Sequence, residues 1–239
     1  MHPIAGLICG VCGERLTSPY TVSEGMARCG ACQRLEPLFV RAAAYGSYDG
    51  GLRELIHLLK NEQIRPAANV LGRMLGETIA ALAAAFDEQP PLLVPVPLHA
   101  SKLRQRGFNQ SELIARAALK SPALSGRSLP LHNSLLERSR PTASQTGLTR
   151  HQRRENMRRA FRVLRPEEVT GRDVLLVDDV FTTGTTVSEC ARVLRKAGVA
   201  RVWVATVARV LRPEASFATP DEASEKKVAT PERALAASV

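Results

Sequence analysis

The sequence of 239 residues lacks both a long apolar run and a leader-like amino terminus. No stretch is apolar over the length that a membrane-spanning helix needs, and no basic segment followed by an apolar one precedes Cys9. The sequence therefore predicts no membrane span and a protein of the reducing cytoplasm.

Aromatic residues are also scarce, with six phenylalanines, three tyrosines and one tryptophan. So few rings argue against the stacking platform that many single-strand-binding proteins use.

Acidic residues are outnumbered, with 23 aspartates and glutamates against 33 lysines and arginines, which gives a formal net charge of +10. This imbalance favours acidic ligands or nucleic acid as partners.

The arginines are concentrated between residues 138 and 165, where nine arginines accompany a single acidic residue and no lysine. Because arginine can bind phosphate oxygens through two parallel hydrogen bonds, such a cluster suits a phosphorylated ligand. Four of its members suit a diphosphate and a nucleic-acid backbone equally well: Arg140, Arg150, Arg153 and Arg154.

Four of the five cysteines form two Cys-x₂-Cys pairs with sixteen residues between them: Cys9, Cys12, Cys29 and Cys32. This spacing is typical of a structural zinc site with four thiolate ligands, which would fold a segment too small for its own core. Two disulfides, redox-active pairs and an iron–sulfur site are the alternatives. The fifth cysteine, Cys190, lies in a predicted amphipathic helix and is expected to be a packing residue.

The most informative segment covers residues 174–186. Its apolar run over residues 174–177 predicts a strand that is buried on both faces of a parallel sheet. Asp178 and Asp179 follow at the carboxyl end of this strand, the edge where open α/β sheets bind ligands. The alternative is that the two acids merely end a strand and that an ordinary Thr-Gly turn follows.

The turn after the acid pair leads into a helix whose apolar side chains repeat with helical period over residues 187–198. Free N–H groups at the start of this helix and the hydroxyls of the turn suit a monophosphate. No Gly-Lys-Ser/Thr ending is present, which disfavours triphosphate hydrolysis. The predicted phosphate-binding residues are Thr182, Thr183, Gly184, Thr185 and Thr186.

A second group of cations follows a predicted strand over residues 92–97 and precedes a helix that starts near Asn109. Lys102, Arg104 and Arg106 therefore lie between a strand end and a helix start, a position suited to binding pyrophosphate. A solvated basic loop is the alternative.

Residues 174–186 resemble the phosphoribosyl diphosphate signature of type I phosphoribosyltransferases, which has four hydrophobic residues, two acidic residues and then Thr-Gly-x-Thr. By that resemblance Asp178 and Asp179 are the catalytic pair, bind the ribose hydroxyls and support Mg²⁺, while residues 182–186 hold the 5-phosphate. Thr182 stands where purine-salvage members carry an acidic residue that faces the base. The resemblance therefore leans toward members that do not protonate a purine from this loop, or toward a chain that keeps the sugar-phosphate site with altered chemistry.

Further motifs look like those of the ComF/GntX group of amidophosphoribosyltransferase-like proteins, in the same order over residues 7–210. They are Val94-Pro95-Val96-Pro97-Leu98, Arg104 to Gln110, Leu136-Glu137-Arg138, Gln145, Leu148 and Arg154-Glu155-Asn156. That group joins a cysteine-rich zinc segment to a phosphoribosyltransferase domain and is associated with competence and DNA uptake. In type I phosphoribosyltransferases a flexible hood near residues 137–157 closes over the substrate.

The resemblance implies an α/β fold, with an open parallel sheet flanked by helices and a small zinc-ribbon-like segment at the amino terminus. We expect a zinc segment over residues 1–40, a phosphoribosyltransferase-like domain over 41–212 and a disordered tail over 213–239. The expected function is binding of phosphoribosyl diphosphate with Mg²⁺ in a competence-related role, with the transfer of ribose 5-phosphate left open. A non-catalytic protein that binds single-stranded DNA or a helicase, and a sensor of a phosphorylated sugar, are the alternatives.

Overall fold

A four-stranded parallel sheet lies at the centre of the protein. The computed structural model describes residues 4, 6–16, 27–86, 89–142 and 149–211. Its strands are β1 (Arg41–Ser47), β2 (Leu92–Pro95), β3 (Leu136–Arg138), β4 (Phe161–Val163), β5 (Asp173–Phe181) and β6 (Arg201–Arg209). The order in the main sheet is β1-β6-β5-β2, while β3 and β4 pair as a separate antiparallel hairpin. The expected open parallel sheet is confirmed.

Helices cover both faces of this sheet. They are α1 (Gly30–Arg34), α2 (Gly50–Asn61), α3 (Ala67–Leu82), α4 (Ala100–Arg106), α5 (Gln110–Ala118), α6 (Arg150–Met157), α7 (Pro166–Val169) and α8 (Thr185–Lys196). Residues of α2, α3 and α5 form one apolar core against the sheet, and residues of α8, the β3–β4 hairpin and the cysteine segment form the other. None of the helices in the described ranges is long and apolar enough to cross a membrane.

Strand β5 is buried as its sequence predicts, because residues 174–177 are fully inaccessible and lie between two neighbouring strands. The strand continues farther than expected. Its pairing with β2 stops at Val177, whereas its pairing with β6 runs on to Phe181. Asp178 and Asp179 therefore lie within the strand on the β6 side but at the open edge of the sheet on the β2 side.

The segment between β2 and the helix that starts near Asn109 contains a helix that the sequence did not predict. Residues 100–106 form helix α4, which begins where the His99 ring accepts a hydrogen bond from the Ser101 amide and ends at Gly107. Lys102, Arg104 and Arg106 therefore lie on a short helix. Sequence reasoning missed it because the residues show no apolar period, and none of them is buried.

The amphipathic stripe predicted for the helix after the phosphate loop is confirmed. The buried residues of α8 are Val187, Cys190, Ala191 and Leu194. Cys190 is thus a packing residue, as expected. The predicted disordered tail over residues 213–239 lies outside the described residues, as does the part of the predicted hood over residues 143–148.

Candidate functional site

The amino-terminal end of α5 meets the acid pair at the open edge of the sheet. Asn109 begins this helix by accepting a hydrogen bond from the Ser111 amide at 3.1 Å. The Ser111 hydroxyl then donates to Asp178 Oδ1 at 2.9 Å, and Gln110 Nε2 donates to Asp179 Oδ1 at 3.3 Å. One helix start therefore fixes both carboxylates, although they are consecutive residues of a strand.

Lys60, near the end of α2, forms an ion pair with Asp179 Oδ2. Asp179 is only 3% exposed, and burial alone would raise the pKa of its carboxyl. The charge and hydrogen bond of Lys60 overcome this effect and hold the pKa of Asp179 below its ordinary value. Burial likewise opposes the charge on Lys60, but Asp179 keeps the pKa of that ammonium raised.

Asp178 has a different environment from its neighbour. Asp178 is partly exposed, and its Oδ1 also accepts a hydrogen bond from the Asp179 amide at 3.0 Å. Burial of the carboxyl, followed by repulsion from Asp179, raises the pKa of Asp178 to about 7. Of the two acids, Asp178 is therefore the one that a ligand at the sheet edge would engage.

The threonine loop after β5 turns sharply at Gly184, which has φ of +76° immediately before α8 begins. A Cβ atom at this position would lie 2.6 Å from the tip of the Phe181 ring, so only glycine fits. The Thr183 and Thr185 hydroxyls are 2.8 Å apart, and Thr182 is exposed. The loop thus presents hydroxyls at the start of a twelve-residue helix, where Thr186 is the second residue.

The three predicted pyrophosphate cations are not equivalent. Arg106 Nη1 donates to Gln110 Oε1 at 2.5 Å, and Gln110 in turn binds Asp179, so Arg106 belongs to the network of the acid pair. Burial lowers the pKa of Arg106, and attraction to Asp179 offsets part of this effect. Lys102 and Arg104 are exposed, and Lys102 Nζ donates to Gln105 at 3.0 Å.

The four cysteines of the two pairs come together, with all their Sγ atoms within 4.8 Å of one another. The Cys12 and Cys29 sulfurs are 3.6 Å apart, close to the sulfur–sulfur separation of about 3.8 Å implied by tetrahedral zinc with bonds of about 2.3 Å. Hydrogen bonds that the Cys32 thiol makes with Cys12 and Cys9, and then burial, raise the pKa of Cys32 far above its ordinary value. Four thiolates therefore need a cation among them, and the sulfur set fits zinc.

A cavity of about 310 Å³ lies between the cysteine segment and the threonine loop. Apolar and charged side chains line it together with the loop: Leu38, Phe39, Met157, Phe181, Arg192 and Arg209. The cavity touches the threonine loop but neither of the two acids. The cavity is therefore adjacent to the threonine loop and separate from the acid pair.

The arginines of residues 138–165 take several different roles. Arg138 packs over the Phe161 ring, and Arg140 donates to two backbone carbonyls, those of Asn156 and Arg158. The side chains of Arg150 and Arg154, which the sequence offers as phosphate ligands, lie outside the described part of the chain. Arg140, Arg158 and Arg159 line one surface groove, which adjoins a second groove lined by Arg159, Arg162, Arg192 and Lys196.

The sequence did not predict three residues that contact the acid pair: Lys60, Gln110 and Ser111. Lys60 ends an ordinary amphipathic helix, and nothing near it in the sequence marks a partner in β5. The Asn109 cap was the available signal for the other two, because the residues that follow an N-cap place their side chains at the end of the helix, where they can reach the group that this end faces.

The family described as phosphoribosyl transferase domain matches residues 124–231. The chain is 32% identical over 213 residues to DNA utilization protein YhgH of Escherichia coli K12, covering 85% of this chain and 91% of the relative. It is also 32% identical over 205 residues to Competence protein F of Haemophilus influenzae, covering 84% of each chain.

A third relative, DNA utilization protein YhgH of Salmonella typhimurium, is 34% identical over 184 residues, which cover 77% of this chain and 78% of the relative. These alignments extend over most of both chains and therefore reach well beyond the matched phosphoribosyl transferase domain. With the acid pair, the threonine loop and the four cysteines arranged as above, the chain belongs to the ComF/GntX family of phosphoribosyltransferase-like proteins.

Proposed function

We propose that this protein binds phosphoribosyl diphosphate together with Mg²⁺ at the open edge of its sheet. One observation carries the proposal: a single helix start, that of α5, orients both Asp178 and Asp179 beside the threonine loop at the start of α8. A ribose diol offers two hydroxyl donors to carboxylate oxygens, and the loop offers hydroxyls and helix N–H groups to a phosphate.

Each part of the ligand then has its own residues. Asp178 accepts hydrogen bonds from the ribose hydroxyls, while Lys60 holds Asp179 ionised beside it. Arg106, which is held by its hydrogen bond to Gln110, binds the pyrophosphate. Mg²⁺ would be held by the carboxylate oxygens of the acid pair with diphosphate oxygens, and it would neutralise the leaving group's charge.

Isothermal titration with phosphoribosyl diphosphate, with and without Mg²⁺, tests the binding proposal. We expect Mg²⁺-dependent binding in the wild type and at least a tenfold weaker affinity in Asp178→Asn, because a charge-assisted hydrogen bond is lost. The matched control is Asp173→Asn, whose carboxylate begins the same strand and pairs with Arg201 at 2.6 Å. Absence of Mg²⁺-dependent binding in the wild type would overturn the proposal.

Catalysis needs a separate measurement, because binding alone also suits a sensor. We expect pyrophosphate to be released when the protein, phosphoribosyl diphosphate and Mg²⁺ are combined with a suitable nitrogen acceptor. Binding without pyrophosphate release across a panel of such acceptors would support a sensor of a phosphorylated sugar instead.

We infer that residues 1–40 form a metal-binding segment with structural zinc and that residues 41–212 form the phosphoribosyltransferase-like domain. The free state of all five cysteines supports a reducing compartment, the cytoplasm. Because relatives are named for DNA utilization and competence, we further propose a role of this chain in DNA uptake.

A second candidate function, binding of single-stranded DNA, is favoured by the two adjoining arginine-lined grooves. Binding of this kind releases counterions and should weaken steeply as salt rises. Fluorescence anisotropy with a labelled oligonucleotide should therefore show a smaller salt slope for Arg159→Gln than for the wild type. Binding that is absent or insensitive to salt would contradict this candidate.

A further inference from the structure

Arg209, the last residue of β6, lies buried between the cysteine cluster and the threonine loop. Its residue is 4% exposed. Its Nη2 donates to Glu14 Oε2 at 3.1 Å and contacts Cys12 Sγ at 3.6 Å. On the other side, its guanidinium carbon lies 4.4 Å from the centre of the Phe181 ring, within the range of a cation–π contact.

The guanidinium has more hydrogen-bonding capacity than its protein partners use. Its Nε and Nη1 are buried and have no hydrogen-bond partner among the described residues. Buried donors that lack a partner are rare and need an explanation. Zinc with four thiolates carries a net charge of −2, so a loaded cluster would supply negative charge beside the guanidinium, whose Nη2 already contacts Cys12 Sγ.

Phe181 connects Arg209 to the phosphate loop. One face of its ring receives the guanidinium, the ring packs against Phe39 in a T-shaped arrangement, and its tip fills the space that a side chain at Gly184 would need. The ring therefore supports the turn that aims the start of α8. A shift of the ring would change the conformation of Gly184 and, with it, the position of the phosphate-binding groups.

We propose that Arg209 is a positioning residue that couples metal occupancy of the cysteine cluster to phosphate binding at the threonine loop. The loaded cluster attracts the guanidinium, which holds the Phe181 ring against Gly184. An empty cluster lacks the ion that fixes its four sulfurs, so the contact between Cys12 Sγ and the guanidinium is no longer held and the Phe181 ring is free to move. This inference rests on the proposed binding of a sugar phosphate at residues 182–186.

Coupling between two sites is reciprocal, so a sugar phosphate must strengthen zinc binding by the factor by which zinc strengthens sugar-phosphate binding. Zinc affinity is thus a readout that does not depend on activity. It can be measured on the full chain by competition with a chromophoric chelator, with and without saturating ribose 5-phosphate. We expect ribose 5-phosphate to raise the zinc affinity of the wild type by at least about fivefold.

Two variants at residue 209 separate coupling from folding. In Arg209→Met all four cysteines remain, so zinc still binds, with affinity lowered about tenfold by loss of the neighbouring charge. Ribose 5-phosphate should change that affinity by a factor close to one. Arg209→Lys keeps the charge and should retain part of the coupling.

The matched control is Arg201→Met, at the other end of the same strand, where the guanidinium packs over the Trp203 ring. This variant should keep the full wild-type factor. If ribose 5-phosphate binds the wild type but leaves its zinc affinity unchanged, the coupling is refuted while the proposed function stands. If ribose 5-phosphate does not bind zinc-loaded wild type at all, the proposed sugar-phosphate site fails, and the coupling fails with it.

Discussion

The acid pair and the cysteine cluster are both buried groups of acidic side chains, but their charge is compensated in different ways. Asp178 and Asp179 receive hydrogen bonds from the start of α5 and an ion pair from Lys60. The cysteine cluster is contacted at Cys12 by the guanidinium of Arg209, which also donates to Glu14. The acid pair is therefore organised by residues of the chain itself, whereas the cysteine cluster is expected to depend on a metal ion for its structure.

Loss of the metal from the cysteine cluster is the test of this comparison with the largest expected effect. We expect one zinc per chain by elemental analysis, and we expect Cys32→Ser to lose it and to unfold more than about 10 °C below the wild type. The control is Cys190→Ala, which changes a buried thiol outside the cluster and should keep its zinc. Less than about half an equivalent of zinc in unoxidised wild type would mean that the cluster is not a four-thiolate zinc site.

Removal of Lys60 tests whether the acid pair is compensated from within the chain. Lys60→Met leaves the carboxylate of Asp179 buried and unpaired, so we expect the free energy of unfolding to fall by about 3 to 5 kcal/mol. Urea denaturation of zinc-loaded protein measures this loss. The double variant Lys60→Met/Asp179→Asn should recover much of it, and a double variant no more stable than the single one would show that the ion pair is not the cause.

Substitution of Gly184 is a test with a smaller expected effect, and it concerns the threonine loop beside the acid pair. Gly184→Ala should cost about 3 kcal/mol, because an alanine would be strained at this φ and would clash with the Phe181 ring. Gly126→Ala is the control, since Gly126 has a similar φ of +75° with open space around its Cβ position. Its cost should be about 1 kcal/mol, so equal losses in the two variants would refute the close packing on Phe181.

The pH dependence of stability gives the smallest expected effect. Because the pKa of Asp178 is raised in the folded protein, its contribution is present at low pH and is lost as pH rises through about 7. Asp179 has a lowered pKa and stays ionised over this range. Without added magnesium, the wild type should lose about 1 kcal/mol relative to Asp178→Asn between pH 6 and 8. A constant difference would show that Asp178 is already ionised at pH 6.

Local patterns in the sequence were sufficient to predict β5, the stripe on α8 and the four cysteines. Each is defined by neighbours along the chain: an unbroken apolar run, a helical period or a fixed spacing. The helix at Lys102 was missed because an exposed basic helix has no such pattern. Lys60 was missed for another reason, since its partner Asp179 is distant in sequence and only the packing of α2 against the sheet brings them together.

Backbone contacts cover both outer edges of the main sheet at single residues. The outer edge of β2 is covered at Leu93, which exchanges backbone hydrogen bonds with Pro130 and His132. The outer edge of β1 is covered at Ala42, whose amide donates to the Val11 carbonyl in the cysteine segment. An uncovered strand edge recruits strands from other molecules. A chain stripped of its metal is therefore expected to form strand-paired aggregates through β1, so zinc would protect solubility as well as shape.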